Sequence, residues 1–290
     1  MAELIIIRWL ITGGIYALLA VGFSFVFGVA RIPNLAHTSF YMIAAYVMYI
    51  ITTILGFHPI LGAILAISLP TLMAIIFYVL VVDRIKEHEL TTMIITIAFA
   101  VLAHEILLIK FGGESRRIAP FIPGFANLLG VSVPYQQIFT VAACVVVNVL
   151  VMVLLARAKL GLLIRAVAQD REIANLMGIN TSRICLIVMG ISAAIGAIAA
   201  VMVAPIFLAS PDMWLDPLII VLGAVVLGGL GSIKGSILGG YILGLAEVLI
   251  IYLFPQGGFL RGVASLVAIV LVLLIKPEGL FGVVFEEERL

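Results

Sequence analysis

Long apolar runs separated by short polar segments make up most of this chain. Nine of these runs approach the roughly 20 residues that an α-helix needs to cross a hydrocarbon core about 30 Å thick. They lie near residues 5–28, 38–56, 59–82, 91–110, 136–156, 184–208, 217–231, 236–254 and 261–276. The seventh and ninth runs are short, so a broken or re-entrant helix near 217–235 would reduce the count to eight. The pattern predicts an all-α, polytopic membrane bundle of eight or nine transmembrane helices, forming a single domain over residues 1–290.

The composition agrees with this pattern. Hydrophobic residues are 64% of the chain, charged residues are 11%, and the mean hydropathy is +1.34, which excludes a soluble globular domain because such domains are only about 45–50% apolar. The net charge of +1 gives no basis for a nucleic-acid partner. Cys144 and Cys185 lie in apolar runs and predict no disulfide or metal site. The first run continues without a cleavage site, so we expect a membrane span there and not a signal peptide.

Basic residues indicate how the chain crosses the membrane, because Lys and Arg collect in cytoplasmic loops. If residues 157–183 face the cytoplasm and all nine runs cross, eleven of the 16 Lys and Arg residues lie inside. The inside group is Arg31, Arg84, Lys86, Arg157, Lys159, Arg165, Arg171, Arg183, Lys234, Lys276 and Arg289, and the outside group is Arg8, Lys110, Arg116, Arg117 and Arg261. This tally predicts an outer N-terminus, an inner C-terminus and a multi-pass protein of the cytoplasmic membrane. Residues 111–135 then form an external loop that is long enough to pack on a partner.

The longest charged segment is 157–183. Within it, Asp170 is a good N-cap residue and Gly178 supplies a stop, which predicts one helix of about two turns with Ile173, Ala174 and Met177 on one side. Two interpretations remain open at this point. The segment is either an ordinary basic loop or a helix that binds a cytoplasmic partner.

Polar residues inside the apolar runs are candidates for a translocation pathway. Pro33 breaks the chain between two runs, so Asn34 and His37 either cap the backbone groups that it frees or line a passage. Glu105 and Glu247 lie within runs, where an ionised carboxylate is costly and normally faces the bundle interior. In the nine-span topology both lie towards the outer half and approach one vestibule, as a polar lining for a zwitterionic solute or as hydrogen-bonded packing residues.

Glycines are spaced along the first run and the 221–247 region in the way that allows membrane helices to approach closely. The helix-packing candidates are Gly14, Gly22, Gly228, Gly231, Gly235 and Gly239. The glycine-rich region does not form a phosphate loop, because Lys234 follows Ile233 and not a glycine. The chain therefore offers no nucleotide site of its own.

Several motifs occur in order along almost the whole chain. They are Gly14-Ile15-Tyr16-Ala17-Leu18, Asn34-Leu35-Ala36-His37, Glu172-Ile173-Ala174-Asn175-Leu176-Met177-Gly178, Leu227-Gly228-Gly229-Leu230-Gly231-Ser232 and Lys276-Pro277-Glu278-Gly279-Leu280-Phe281-Gly282. Together they resemble the permeases of branched-chain amino acid ABC transporters. The family usually has a glycine after the histidine, where this chain has Thr38.

The resemblance implies a permease subunit of an ABC importer for branched-chain or related hydrophobic amino acids. It implies that 157–183 contains a coupling helix, with Arg165, Asp170, Arg171, Glu172, Ala174, Met177 and Gly178 as the residues that engage the ATPase. The implied partners are two ATP-binding subunits, a second homologous permease, an external solute-binding protein and the lipid bilayer. This chain would then be a transport subunit and not an enzyme, with no cofactor of its own.

Other functions fit the same pattern of spans. A permease for urea, short amides or another small polar solute is one alternative, and a stand-alone secondary transporter or channel is another. A membrane-embedded enzyme is disfavoured because the four histidines are scattered over different spans and loops, whereas catalysis needs convergent groups.

Overall fold

The computed structural model describes residues 2–31, 33–86, 88–128, 131–254 and 257–282. Within these ranges the chain forms twelve α-helices. They are α1 (Ala2–Ala30), α2 (His37–Tyr49), α3 (Pro59–Phe77), α4 (Asp83–Ile85), α5 (Glu89–Phe111), α6 (Tyr135–Arg157), α7 (Lys159–Gln169), α8 (Arg171–Leu176), α9 (Thr181–Val203), α10 (Leu215–Gly228), α11 (Ile233–Leu253) and α12 (Arg261–Ile275). Wider π-helical turns extend α2 through Ile50–Ile54 and α3 through Tyr78–Val82, and 3-10 turns precede α10 at Pro211–Trp214 and α12 at Gly257–Leu260.

Eight of the described helices are long and apolar enough to cross a membrane. They coincide with the first eight apolar runs of the sequence, so the predicted all-α membrane bundle is confirmed. The ninth run forms α12, whose 15 residues extend only about 22 Å and are shorter than the hydrocarbon core. The chain after α12 nevertheless reaches the end of α10, where Leu280 N donates to Leu227 O at 2.8 Å.

The contacts between loops define two ends of the bundle. We call the end that carries residues 157–183 the inner end and the end that carries residues 112–134 the outer end. At the inner end, Lys86 Nζ donates to Ser182 Oγ at 2.6 Å. At the outer end, Arg116 and Ala209 exchange two backbone hydrogen bonds. The helix directions place the basic residues predicted to be inside at the inner end, with the exception of Arg289, which lies outside the described residues.

The loop at the outer end contains a secondary structure that the sequence did not predict. Two strands, β1 (Phe125–Leu128) and β2 (Val131–Pro134), pair antiparallel, with Phe125 opposite Pro134. The loop also packs on the bundle through Gln136, whose Oε1 accepts from Phe121 N at 3.0 Å. The described part of this segment, residues 111–128 and 131–135, is therefore a folded cap on the outer end.

Helix α1 lies at the centre of the bundle and packs against α6, α9, α10 and α11. Its residues Ala17 to Val21 are fully buried. The spans α5 and α6 are peripheral, since only 22% of each is buried within the chain, compared with 72% of α9. An apolar surface left exposed on a spanning helix is the surface that faces lipid or another membrane subunit.

Glycines set the distance between the central helices, as their spacing predicted. A Cβ at Gly235 would overlap the carbonyl oxygen of Gly228, and a Cβ at Gly239 would overlap that of Ala224, so α10 and α11 touch through their backbones. Such contact is possible only where neither helix presents a side chain. On the same helix, Gly244 faces α1, where a Cβ would lie 2.6 Å from Gly13 Cα.

The other predicted packing glycines differ in how closely they approach neighbouring atoms. Gly231 lies against Gly28, at the turn between α10 and α11, and has a φ of 81° that favours glycine. A Cβ at Gly22 would lie 2.7 Å from His37 Cε1. Gly14 differs from the rest, because a Cβ there would lie 3.6 Å from its nearest neighbours, an ordinary van der Waals distance.

Candidate functional site

The inner loop contains two helices. The predicted short helix is α8, and its ends are as expected: Asp170 Oδ1 accepts from Ile173 N at 2.9 Å, and Gly178 adopts a φ of 83° after the last turn. Asn180, two residues further on, caps the start of α9, where its side chain accepts from Arg183 N at 3.0 Å. Both caps satisfy backbone amides that a helix start leaves free.

The helix that the sequence interpretation missed is α7. Its residues Gly161, Ile164 and Val167 are buried, at the spacing of three that places them on one helix face. Gly161 lies against the backbone at the end of α6, where a Cβ would overlap Leu154 O. The sequence contains this spacing, but the charged residues of the segment made the apolar face of α7 hard to recognise.

The two faces of α8 differ from the predicted arrangement. Ala174 is buried, whereas Ile173, Leu176 and Met177 have exposed fractions of 59%, 86% and 78%. The interpretation that placed Ala174 on the same side as Ile173 and Met177 was wrong, because Ala174 faces the bundle. The exposed trio, which we call the α8 apolar patch (Ile173, Leu176, Met177), projects from the inner end.

The charged residues of the loop also divide into two groups. Arg165, Asp170 and Glu172 are exposed. Arg171 instead points into the bundle, where its guanidinium donates to Ala30 O, the last carbonyl of α1, and contacts Cys185 Sγ at 3.5 Å. A cation at a helix C-terminus is stabilised by the free carbonyl groups there. Arg171 therefore joins α8 to the central helix of the bundle.

His37 lies where α1, α2 and α9 meet. Ser192 Oγ donates to Gly22 O at 2.7 Å and lies 3.1 Å from His37 Nδ1. Because the hydroxyl has a single hydrogen, it can only accept from Nδ1 while it donates to Gly22 O. The ring is buried and fills the space left by Gly22 and Gly196. We call this arrangement the His37 layer (Gly22, His37, Ser192, Gly196).

Asn34 satisfies backbone groups at the break between α1 and α2. Its Oδ1 accepts from Ala36 N at 3.2 Å, and the neighbouring Leu35 N donates to Thr96 Oγ1 at 3.3 Å. Asn34 also borders a small cavity of about 10 Å³ on the inner side of the His37 layer. These bonds are the capping arrangement that the sequence left as one of two alternatives.

The structure does not bring Glu105 and Glu247 together. Glu105 is half exposed near the outer end of α5, and its Oε1 lies 3.3 Å from His104 Nδ1. Glu247 is buried between α1 and α12, where it accepts from Tyr16 Oη at 2.7 Å and from Ser265 Oγ at 3.5 Å. The expectation of one shared vestibule does not hold, because α5 packs against α2 while α11 packs against α1, α10 and α12.

A cavity of about 230 Å³ opens in the outer half of the bundle. The outer half of α1, Tyr41 of α2, the chain between α9 and α10, and the first turns of α10 form its wall. Most of the lining is apolar, and the polar members are Thr12, Tyr16, Tyr41, Ser210 and Asp216. An apolar cavity of about 150 Å³ holds benzene in another protein, so this cavity has room for a small organic solute.

None of these polar lining residues was a candidate from the sequence. The one available signal was Asp216, an acid immediately before the apolar run at 217–231. Tyr41 and Thr12 gave no signal because they lie inside runs in which most residues serve packing. Among the described residues, no group of three or more His, Cys, Asp or Glu side chains is arranged to hold a metal ion.

The fold has a counterpart among solved structures. The chain superposes on a chain of PsaBC from Streptococcus pneumoniae in complex with Fab, with a TM-score of 0.51 and 16% identity over 93% of this chain and 91% of that one. At this identity the likeness concerns the fold alone. The fold and the apolar helices define the chain as a multi-pass helical membrane protein.

Sequence comparisons narrow this class. The model of the family described as "Branched-chain amino acid transport system / permease component" matches residues 5–275. BraD of Pseudomonas aeruginosa, a high-affinity branched-chain amino acid transport system permease protein, is 28% identical over 96% of this chain and 94% of its own length. LivH of Escherichia coli K12, which has the same description, is 30% identical over 93% of this chain and 92% of its own.

A third organism also has a similar protein. The probable branched-chain amino acid transport permease LivH of Methanocaldococcus jannaschii is 28% identical over 94% of this chain and 90% of its own length. The chain belongs to the branched-chain amino acid transport permease family. The resemblance noted from the sequence motifs is confirmed.

Proposed function

We propose that this chain is the permease subunit of an ABC importer that moves branched-chain or related hydrophobic amino acids across the cytoplasmic membrane. The observation that carries the proposal is the family match over residues 5–275, supported by relatives of nearly equal length whose names specify branched-chain amino acid transport. The chain itself is the transport subunit, and ATP is hydrolysed by two separate partner subunits.

The α8 apolar patch is the surface that we assign to the ATP-hydrolysing partner. Three large apolar side chains with exposed fractions of 59% to 86% lie on α8 and its C-cap residue Met177. This segment is too short to cross the membrane. A helix with exposed apolar anchors is suited to a groove on another protein. Arg165 and Glu172 lie exposed on the same loop and are available for polar contacts at the rim of that interface.

Arg171 gives this surface a connection to the transmembrane core. Movement of α8 with its partner displaces the guanidinium that is bonded to Ala30 O, and so displaces the inner end of α1. The outer half of the same helix forms one wall of the 230 Å³ cavity. A single continuous helix therefore links the proposed motor contact to the side of the bundle where solute enters.

The remaining partners are assigned to other surfaces. The folded loop at 112–134 and the nearby chain at 204–214 form the outer end, and we assign them to an external solute-binding protein. The exposed apolar faces of the peripheral spans face lipid and a second homologous permease.

The test is reconstitution of this chain with the second permease, the ATPases and the binding protein in liposomes. Leu176→Ser is expected to abolish ATP-dependent uptake of leucine and to release the ATPase, because the patch loses its most exposed side chain. The matched control is Leu90→Ser, which alters another exposed leucine at the inner end and is expected to leave uptake unchanged. Uptake and co-purification of the ATPase are measured for each variant.

The same assay separates the alternative functions. Uptake of urea or a short amide in preference to leucine would support the small-polar-solute alternative. Leucine uptake by this chain without the ATPases would support a stand-alone transporter. Normal ATPase binding by Leu176→Ser would contradict the assignment of the patch.

A further inference from the structure

The outer cavity combines an apolar wall with one carboxylate. Its apolar lining includes Ile15 and Leu19 of α1 together with Val203 and Ile220. Asp216, in the first turn of α10, is the charged group in its described lining. This pairing suits a solute with a cationic group at one end and an aliphatic group at the other, since each end finds a matching surface.

Tyr41 supplies a hydrogen-bonding group that no described residue of the chain uses. Its side chain is 4% exposed and lines the cavity, and its hydroxyl makes no hydrogen bond to any described residue. A ligand or water in the cavity would satisfy it, and a carboxylate would accept its hydrogen.

The hydroxyl of Tyr16, unlike that of Tyr41, bonds to another residue of the chain. Its hydroxyl donates to the buried Glu247 at 2.7 Å, while its ring forms part of the cavity wall. Glu247 therefore acts on the cavity through Tyr16 as a positioning residue and does not line it.

The inner side of the cavity is closed by the His37 layer. On α1, Leu19 lines the cavity and Gly22 lies one turn further in. On α2, Tyr41 lines the cavity and His37 lies one turn further in. The buried imidazole and the hydroxyl of Ser192 fill the space between the three helices, so the cavity is closed on its inner side.

We infer that the outer cavity is the outward-facing solute site of this permease and that it binds a zwitterionic aliphatic amino acid. Asp216 pairs with the ammonium group, Tyr41 donates to the carboxylate, and Ile15, Leu19 and Ile220 enclose the side chain. The inference rests on the proposed transport function and adds the site and the groups that recognise the solute. Urea carries no charge and no aliphatic group, so it matches neither surface.

The experiment uses two adjacent isoleucines of α10. Ile220 is 6% exposed and lines the cavity, whereas Ile219 is 48% exposed and does not line it. Ile220→Cys and Ile219→Cys are introduced separately after Cys144→Ala and Cys185→Ala remove the two buried free thiols. The assembled transporter in membrane vesicles is then labelled with a cationic and an anionic methanethiosulfonate reagent.

The expected result has three parts. Both reagents label Ile220→Cys and neither labels Ile219→Cys, since Ile219 faces lipid. The cationic reagent reacts about tenfold faster than the anionic one, because the Asp216 carboxylate attracts one and repels the other, and Asp216→Asn removes this preference. L-leucine protects Ile220→Cys from labelling, while urea at the same concentration does not.

Asp212→Asn is the matched control for the charge effect. Asp212 is an exposed acid of the same outer segment that pairs with His104 at 3.1 Å and does not line the cavity. Its substitution is expected to leave the reagent preference in place. Loss of the preference in both variants would show a general surface potential and would overturn the role of Asp216.

The remaining outcomes separate this inference from the proposed function. If the complex transports leucine but leucine does not protect Ile220→Cys, the site is wrong and the function stands. If urea protects and leucine is not transported, both are wrong. If Ile220→Cys does not react with either reagent, a lipid chain or closed packing fills the cavity, and the inference is overturned.

Discussion

The centre and the periphery of this bundle are packed in different ways. At the centre, α1, α10 and α11 meet through glycine backbones, and side chains are absent from the contacts at Gly228, Gly235 and Gly244. At the periphery, α5 and α6 present large aliphatic side chains outwards, and only 22% of each is buried within the chain. The same apolar composition therefore provides close helix packing at the centre and an outward-facing apolar surface at the periphery.

This difference in packing indicates how a displacement can pass from one end of the bundle to the other. Backbone contacts contain no rotatable groups, so the central helices transmit a displacement without absorbing it. The peripheral side chains are exposed to lipid or to another membrane subunit, and fluid lipid adapts to small shifts. Because Arg171 attaches α8 to the end of α1, the proposed coupling surface is joined to the rigid part of the bundle.

The largest expected effect comes from disrupting a central backbone contact. In Gly235→Ala the new methyl group overlaps Gly228 O, and α10 and α11 must separate along their length. Overpacking typically costs 1–3 kcal/mol, and we expect a loss of about 3 kcal/mol here because backbone atoms cannot rotate away. The thermal midpoint of the purified protein in detergent is the measurement.

Gly14→Ala is the control for that substitution. It adds the same methyl group to a central helix where the nearest atoms, Cys144 Cβ and Tyr241 Oη, lie at 3.6 Å. Its thermal midpoint should be close to that of the unaltered protein. Equal losses for the two variants would refute the claim that backbone contact distinguishes Gly235.

An intermediate effect is expected where the rigid centre joins the inner loop. Arg171→Ala removes the bond to Ala30 O, and hydrogen bonds to charged groups contribute about 1.5–3 kcal/mol. We expect leucine uptake to fall strongly while the ATPase remains bound and continues to hydrolyse ATP, because the α8 apolar patch is unchanged. The ratio of solute transported to ATP hydrolysed is the measurement.

Lys159→Ala is the companion variant, since Lys159 is exposed at the start of α7 and makes no described side-chain bond. Its transport ratio should match that of the unaltered complex. If Arg171→Ala lowers uptake only by releasing the ATPase, Arg171 is part of the docking surface and not a link to α1.

The smallest effect is expected at the periphery. Leu150 of α6 is 60% exposed, and Leu150→Ala should change the free energy of unfolding by no more than about 0.5 kcal/mol. Leu18 of α1 is fully buried, and the comparison variant Leu18→Ala should cost clearly more than Leu150→Ala because it leaves a cavity. A similar loss at Leu150 would show that a partner or another part of the chain, and not lipid, covers that face.

Much of the fold was predictable because membrane spans are specified locally. The lengths of the apolar runs placed eight spans to within a few residues, since each span must cross the same hydrocarbon thickness. The N-cap at Asp170 and the left-handed turn at Gly178 were also predictable, because both depend only on neighbouring residues. The glycine spacing indicated close helix packing but not which helices meet.

The sequence by itself therefore determined the spans, the two ends of α8 and the family to which the chain belongs. Only the tertiary structure decided that Gly235 faces α10 while Gly244 faces α1, that Arg171 points into the bundle, and that Asp216 shares a cavity with Tyr41. Tyr41 and Asp216 are far apart in the chain, and no local sequence pattern indicates that they lie close together in the fold. Their proximity follows from the close approach of the central helices, which is a property of several segments at once.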